Sequence, residues 1–213
     1  MSAAIAWDAF DLIVFDMDGT LYDQRSLRWR MARLLMGDAI RTRSLAAVRT
    51  LSAYRRQRET MGSGMTADFV SEQYRLAGRC PDAVRATVAE WMERRPLPLL
   101  RRHRTPGVDG LFEKLGRRRA VAVFSDYKAE DKLAALGLSA HLTVAAEDVG
   151  RLKPDPAGLL WLMAQANTTA ERTMMIGDRD DRDGEAARRA GVRVLIRGRD
   201  FRDFNDPLFQ HAC

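Results

Sequence analysis

Residues 14–23, VFDMDGTLYD, close an apolar run with two carboxylates and a turn. The run from Asp11 to Phe15 reads as a short buried parallel strand. Side chains two apart on a strand face the same way, so Asp16 and Asp18 head toward one small volume as the chain leaves its last apolar residues. Like charges held that close repel. Either solvent screens them in an ordinary acidic turn, or a cation keeps them together.

Outward from this strand the chain changes character twice. Stretches 25–36, 39–59, 66–77 and 81–95 are predicted helices with no convincing strand between them; Gly62 and Gly64 punctuate the block, and Pro81 suits a first helical turn. After the breaker-rich RPLPLLRRHRTPGVDG at 95–110, strands and helices alternate. AVAVFS (120–125), LTVAA (142–146), TMMIGD (173–178) and VRVLI (192–196) read as strands. Between them 129–136, 158–166 and 184–190 read as helices, the first and last ended by Gly137 and Gly191. Alternation of this kind predicts an α/β fold, a doubly wound parallel sheet covered by helices. The first strand precedes the helical block and the rest follow it. The expected organisation is therefore a core of residues 1–22 and 106–213 interrupted by an inserted α-helical cap domain, 23–105.

Composition narrows the class. With 46% hydrophobic and 30% charged residues over 213 positions, the chain can build one sizeable core and is not of the disordered type. No apolar run is long enough to cross a membrane, and MSAAIAWDAF lacks a signal-peptide pattern, so a cytoplasmic protein with no membrane partner is expected. Cys80 and Cys213 are too few and too far apart for a disulfide framework. The net charge of +6 comes from arginine, because Lys114, Lys128, Lys132 and Lys153 are the only lysines. Basic and aromatic residues do not interleave as base-stacking surfaces require, so no nucleic acid partner is expected. A monomer or a homodimer fits equally well.

Polar residues sit where such a sheet places its ligands, beyond the carboxyl ends of the strands. Asp16 ends the first strand, Ser125 and Asp126 end the second, Lys153 lies in RLKPDP, and Asp178 opens GDRDDRD. Taken singly, each has a bland reading: an acidic turn, a strand-ending serine, a solvated lysine, an acidic helix start. Their convergence on one edge is what demands a site.

In that order, D-x-D-G-T, the serine, the lysine and the acidic cluster resemble the haloacid dehalogenase superfamily, over about residues 11–22 and 106–200. The similarity is greatest to its phosphatase branch with a helical cap, of the phosphoglycolate phosphatase type. The resemblance implies a phosphatase acting on a small phosphorylated metabolite, with Asp16 as the nucleophile that forms an aspartyl phosphate and Asp18 as general acid and then base. Lys153 would neutralise the phosphoryl group, while Thr20, Ser125 and Asp126 would lie against substrate or nucleophile. Mg²⁺ would be held by Asp16, the Asp18 carbonyl, Asp178 and a second acid, best matched by Asp183, with Asp180 and Asp181 as alternatives. The acid at Asp18 disfavours dehalogenation. A phosphomutase of a sugar phosphate, or a non-catalytic anion-binding protein, are the rival readings. Arg151 is a further candidate contact.

The cap is less legible. Trp29, Met31, Met36, Tyr54, Met61, Met65, Phe69, Tyr74, Trp91 and Met92 are expected to pack a helical bundle. Arginines of the Arg55-Arg56-Gln57-Arg58 cluster are either solvated or reach over the site toward a polyanionic leaving group. The tail DFRDFNDPLFQHAC, 200–213, is read as a packing segment or a dimer contact.

Overall fold

A computed structural model of the chain describes residues 5–61 and 69–212. Gly62, Gly64, Met65 and Cys213, and the start of the helix expected at 66–77, lie outside the described residues, as does the side chain of Phe69.

Five strands form one all-parallel sheet: β1 (Leu12–Phe15), β2 (Ala120–Ser125), β3 (Leu142–Ala145), β4 (Thr173–Gly177) and β5 (Arg193–Ile196), in the order β3-β2-β1-β4-β5. β1 is central, with Phe15 level with Val123 on one side and Ile176 on the other. Every residue of β1 is buried, which explains its unbroken apolar text. The α-helices among the described residues are α1 (Gln24–Thr42), α2 (Ala46–Met61), α3 (Phe69–Glu72), α4 (Pro81–Val88), α5 (Leu97–Leu100), α6 (Val108–Gly116), α7 (Glu130–Leu136), α8 (Ala146–Val149), α9 (Ala157–Gln165) and α10 (Glu185–Arg189).

Alternation along the strands divides the core into two faces. Ile13, Phe15, Val121, Val123, Met174 and Ile176 pack under α6, α7 and the C-terminal tail, whose Phe201, Phe204 and Phe209 join Trp7 in that cluster. Leu12, Val14, Ala122, Phe124 and Met175 face α9 and α10 instead. The tail is thus a packing segment. Arg119, itself buried, ties both ends of the chain together: it donates to the Trp7 and Ala212 carbonyls and pairs with Asp8.

The helical block forms its own cluster of Leu51, Tyr54, Tyr74, Leu76, Val84, Val88 and Trp91. α1 begins where the Asp23 carboxylate caps the Ser26 N–H at 3.1 Å. It runs to Thr42, so residues 39–42, expected to open the second helix, close the first. Two chain segments link block and sheet, and they are stitched to one another: Asp23 N–H donates to His103 O, Thr105 N–H to Leu21 O, and the Thr105 hydroxyl to Thr20 O. Leu97, Leu99 and Leu100, placed by sequence with the cap, pack against the core cluster of the sheet. The expectation that the aromatic and methionine side chains of the block all pack is corrected at two positions, since Trp29 is 72% and Met36 48% exposed on α1.

Candidate active site

The carboxyl end of β1 delivers Asp16, and the chain then turns at Gly19 with φ of 104°. A Cβ there would meet Asp178 Oδ2 at 2.1 Å. Only a residue without a side chain lets the two acidic loops approach this closely. Thr20, fully buried, donates its hydroxyl to Asp16 Oδ2 at 3.1 Å.

Lys153 arrives from the loop after α8 and is the hub of the buried charge set. Its Nζ pairs with Asp16 Oδ1, donates to Asp183 Oδ1 at 2.7 Å and to the Phe124 carbonyl at 3.1 Å. Burial disfavours its ammonium, but Asp16 and Asp183 outweigh that and raise its pKa, so it stays charged. Asp183 is fixed from both sides: its second oxygen accepts the Asp178 and Arg179 N–H groups at 3.2 and 3.1 Å. One oxygen from each of Asp16, Asp178 and Asp183 falls within 4.8 Å of the others. Burial, and then the charge of Asp183, pushes Asp16 well above the usual carboxylate range and Asp178 up to about 6. Such mutually repelling, half-enclosed oxygens suit a hard divalent cation. Asp178 has the freest oxygens to bind it; Asp16 shares one with Lys153 and the other with the Thr20 hydroxyl, while Asp183 is committed to Lys153 and the backbone. Asp180 pairs with Arg188 and Arg199, and Asp181 with Arg179, so neither joins the cluster.

Asp18 enters the same cleft but has partners the sequence reading did not find. Lys132, on α7, donates to its Oδ1 at 2.6 Å, and the Tyr22 hydroxyl donates to the same oxygen. Burial would raise Asp18, yet the Lys132 ammonium and the Tyr22 bond hold its pKa below the ordinary value. One signal was available: Lys132 is among four lysines in an arginine-rich chain.

The cleft, about 190 Å³, is lined by Asp16, Asp18, Lys132, Lys153, Asp178 and Asp183 on the sheet side. Asp126 and Arg182 line it as well, with their charged groups 3.6 Å apart. The Asp126 Oδ1 atom is buried and accepts no hydrogen bond. Ser125 and Thr20 lie behind the wall: Ser125, fully buried, accepts the Tyr127 N–H at 3.2 Å and turns the loop. Arg151 is 3.9 Å from Asp155 and is not part of the lining. The cap contributes Leu27, Arg28, Met31, Arg55, Trp91 and Met92.

A parallel sheet whose carboxylate-rich edge lies beneath a block of helices defines a capped α/β architecture. Residues 10–191 match the haloacid dehalogenase-like hydrolases, and the chain belongs to that family. Among solved structures it is similar to the magnesium-bound HAD hydrolase YfnB of Bacillus subtilis, at 19% identity and a TM-score of 0.65, with 88% of each chain covered. It is also similar to a HAD phosphatase of Thermococcus onnurineus, at 17% identity and a TM-score of 0.62, over 90% of this chain and 87% of that one. A third is a 2-haloacid dehalogenase of Pseudomonas syringae, at 22% and 0.61, over 88% and 86%. At these identities the likeness concerns the fold. A search of curated proteins finds no match. No helix among the described residues is long and apolar enough to cross a membrane.

Proposed function

We propose that this hydrolase is a Mg²⁺-dependent phosphomonoesterase working through an aspartyl phosphate on Asp16. The observation that carries the reading is Asp18: a second carboxylate shares the cleft with Asp16, and Lys132 and Tyr22 lock its position. Ester hydrolysis needs a proton given to one oxygen and taken from another, and a fixed carboxylate beside the nucleophile does both.

In the first step an Asp16 oxygen bonds to phosphorus as the bond from phosphorus to the leaving oxygen breaks, and that oxygen takes a proton from Asp18. Substrate anions entering beside Lys132 compete for its ammonium, which loosens its hold on Asp18 and favours the protonated acid. In the second step Asp18 accepts a proton from water, water oxygen bonds to phosphorus, and Asp16 is released with inorganic phosphate. Lys153 balances the negative charge at Asp16 throughout, and the Thr20 hydroxyl keeps the carboxylate aimed. Asp16 and Asp178, with Asp183 behind them, would hold Mg²⁺, which when bound supplies charge neutralisation for the phosphoryl oxygens. Opening and closing of the helical cap would admit the substrate and shut out bulk water.

The test is phosphate release from a panel of phosphorylated metabolites, with Mg²⁺ or with chelator, for wild type and Asp16→Asn. Metal-dependent release by wild type alone is expected, together with a quenched intermediate carrying one phosphoryl group on the Asp16 peptide. A variant keeping more than about a tenth of the rate, one decade being about 1.4 kcal/mol, would remove Asp16 from the covalent role.

A further inference from the structure

Two guanidinium groups on the cap wall have no task in the hydrolytic chemistry. On α1, Gln24, Leu27, Arg28 and Met31 recur at helical spacing and all line the cleft. Arg55 lines it from α2, and Leu27, Met31, Trp91 and Met92 make the wall around the pair apolar.

The remaining arginines of the lining are committed elsewhere. Arg58 donates to Gln73 and to the Asp126 carbonyl, Arg179 pairs with Asp181, and Arg182 donates to the Lys153 carbonyl. Among the described residues Arg28 and Arg55 make no hydrogen bond and no ion pair. They are also close enough to feel each other: enclosure in the cleft, and then the charge of Arg28, lowers the pKa of Arg55. Glu59, one turn further along α2, favours the charged form of Arg55 but makes no ion pair with it. Both residues are exposed to solvent, and an anion held between them would relieve their mutual repulsion and give each guanidinium a partner. That anion is not the reacting phosphoryl group, which has Lys153 and the metal-binding acids at the opposite wall.

We propose that Arg28 and Arg55 form a distal anion subsite, so that the substrate is a small phosphomonoester whose leaving group carries a second negative group, a carboxylate or a second phosphate. Naming a substrate class rests on the phosphomonoesterase reading; the subsite itself does not. The size agrees: at about 10–15 Å³ for each water-sized group, a cleft of about 190 Å³ holds roughly 13 to 19 such groups. That is enough for a phosphate, a short carbon skeleton and one further anionic group. Leu27, Met31 and Trp91 would cover the skeleton.

Binding of phosphonates, which are not turned over, separates the subsite from the chemistry. Calorimetry with Mg²⁺ would compare propylphosphonate, phosphonopropionate and a propane bisphosphonate on wild type, Arg28→Ala, Arg55→Ala and Arg55→Lys. At least one doubly anionic probe is expected to bind tenfold or more tighter than propylphosphonate, and whichever gains more identifies carboxylate or phosphate as the source. Each alanine variant should remove most of that preference, and Arg55→Lys should restore part of it. Equal affinities for all three probes, or a preference that survives in both alanine variants, would overturn the proposal. Phosphate release from simple esters without any anionic preference would leave the hydrolase standing and the subsite refuted. Preferential binding without phosphate release from any ester would do the reverse.

Discussion

Lys132 and Gly19 carry two predictions about single residues. Lys132 and Asp18 are 114 positions apart and largely buried together, with side chains 9% and 14% exposed. Replacing Lys132 by Met leaves Asp18 with Tyr22 as its remaining donor, so the carboxylate loses both its charge partner and half its anchorage. General acid–base groups contribute about 10²–10⁴-fold to rate, and a kcat drop of about tenfold or more is expected, with Lys132→Arg recovering part of it. Steady-state kinetics beside a melting curve would check this, and an unchanged kcat would show that Lys132 is only structural. Gly19→Ala should cost about 1–3 kcal/mol, because it forces a side chain into a left-handed turn and against Asp178. Its distinctive result is loss of metal-dependent activity with the sheet still folded, read by circular dichroism and phosphate release. The convergence of Asp16, Asp18, Lys153 and Asp178 was legible because Asp16 and Asp178 directly follow strands, Asp18 lies two residues on, and Lys153 comes in a proline-bounded loop beyond β3, all in a recognisable order. Lys132 was not, since α7 presents it to Asp18 only after the sheet has assembled.

At the scale of elements, the strands could be read because burial on both faces demands continuous apolar text, as in LIVF of β1. The helices were legible where apolar spacing and a glycine stop agreed, as at Gly137 after α7. They were misread where a break lacks a breaker. α1 ends at Arg43 in a left-handed turn, φ of 51°, with no glycine or proline beside it, while Gly37 passes unnoticed inside the helix. α6 was missed because the breaker-rich stretch before it hid its start, although Val108, Leu111, Phe112 and Leu115 form a clear apolar stripe. One close contact between elements is testable. α9 approaches β2 so nearly that a Cβ on Gly158 would lie 2.3 Å from the ring of Phe124, a fully buried side chain. Gly158→Ala is therefore expected to destabilise the protein by about 1–3 kcal/mol by overpacking. Urea denaturation would measure it, and a neutral result would mean that α9 shifts outward freely.

For the molecule as a whole, the cleft exists only while the helical block leans on the sheet, and what holds it there is not legible in the chain's text. The latch is buried and polar. Arg58 of α2 lies 4.2 Å from the ring centre of Tyr127, donates to the Asp126 carbonyl at 2.9 Å and pairs with Gln73. Gln73 accepts the Tyr54 hydroxyl inside the block and donates to Glu147 of α8 across the junction at 2.8 Å. The arginine cluster that looked uniform in sequence is thus divided by folding: Arg58 fastens the cap, while Arg55 faces the cleft. Arg58→Met would leave Gln73 and the Asp126 carbonyl without a charged donor, at a cost of about 1.5–3 kcal/mol. Closure should weaken with it, so KM is expected to rise several-fold for every substrate alike. Preference for doubly anionic over neutral leaving groups should persist, because Arg28 and Arg55 remain. A stability loss with unchanged KM would confine Arg58 to the interior of the cap; a loss of the anionic preference would mean that the latch, not the distal pair, reads the leaving group.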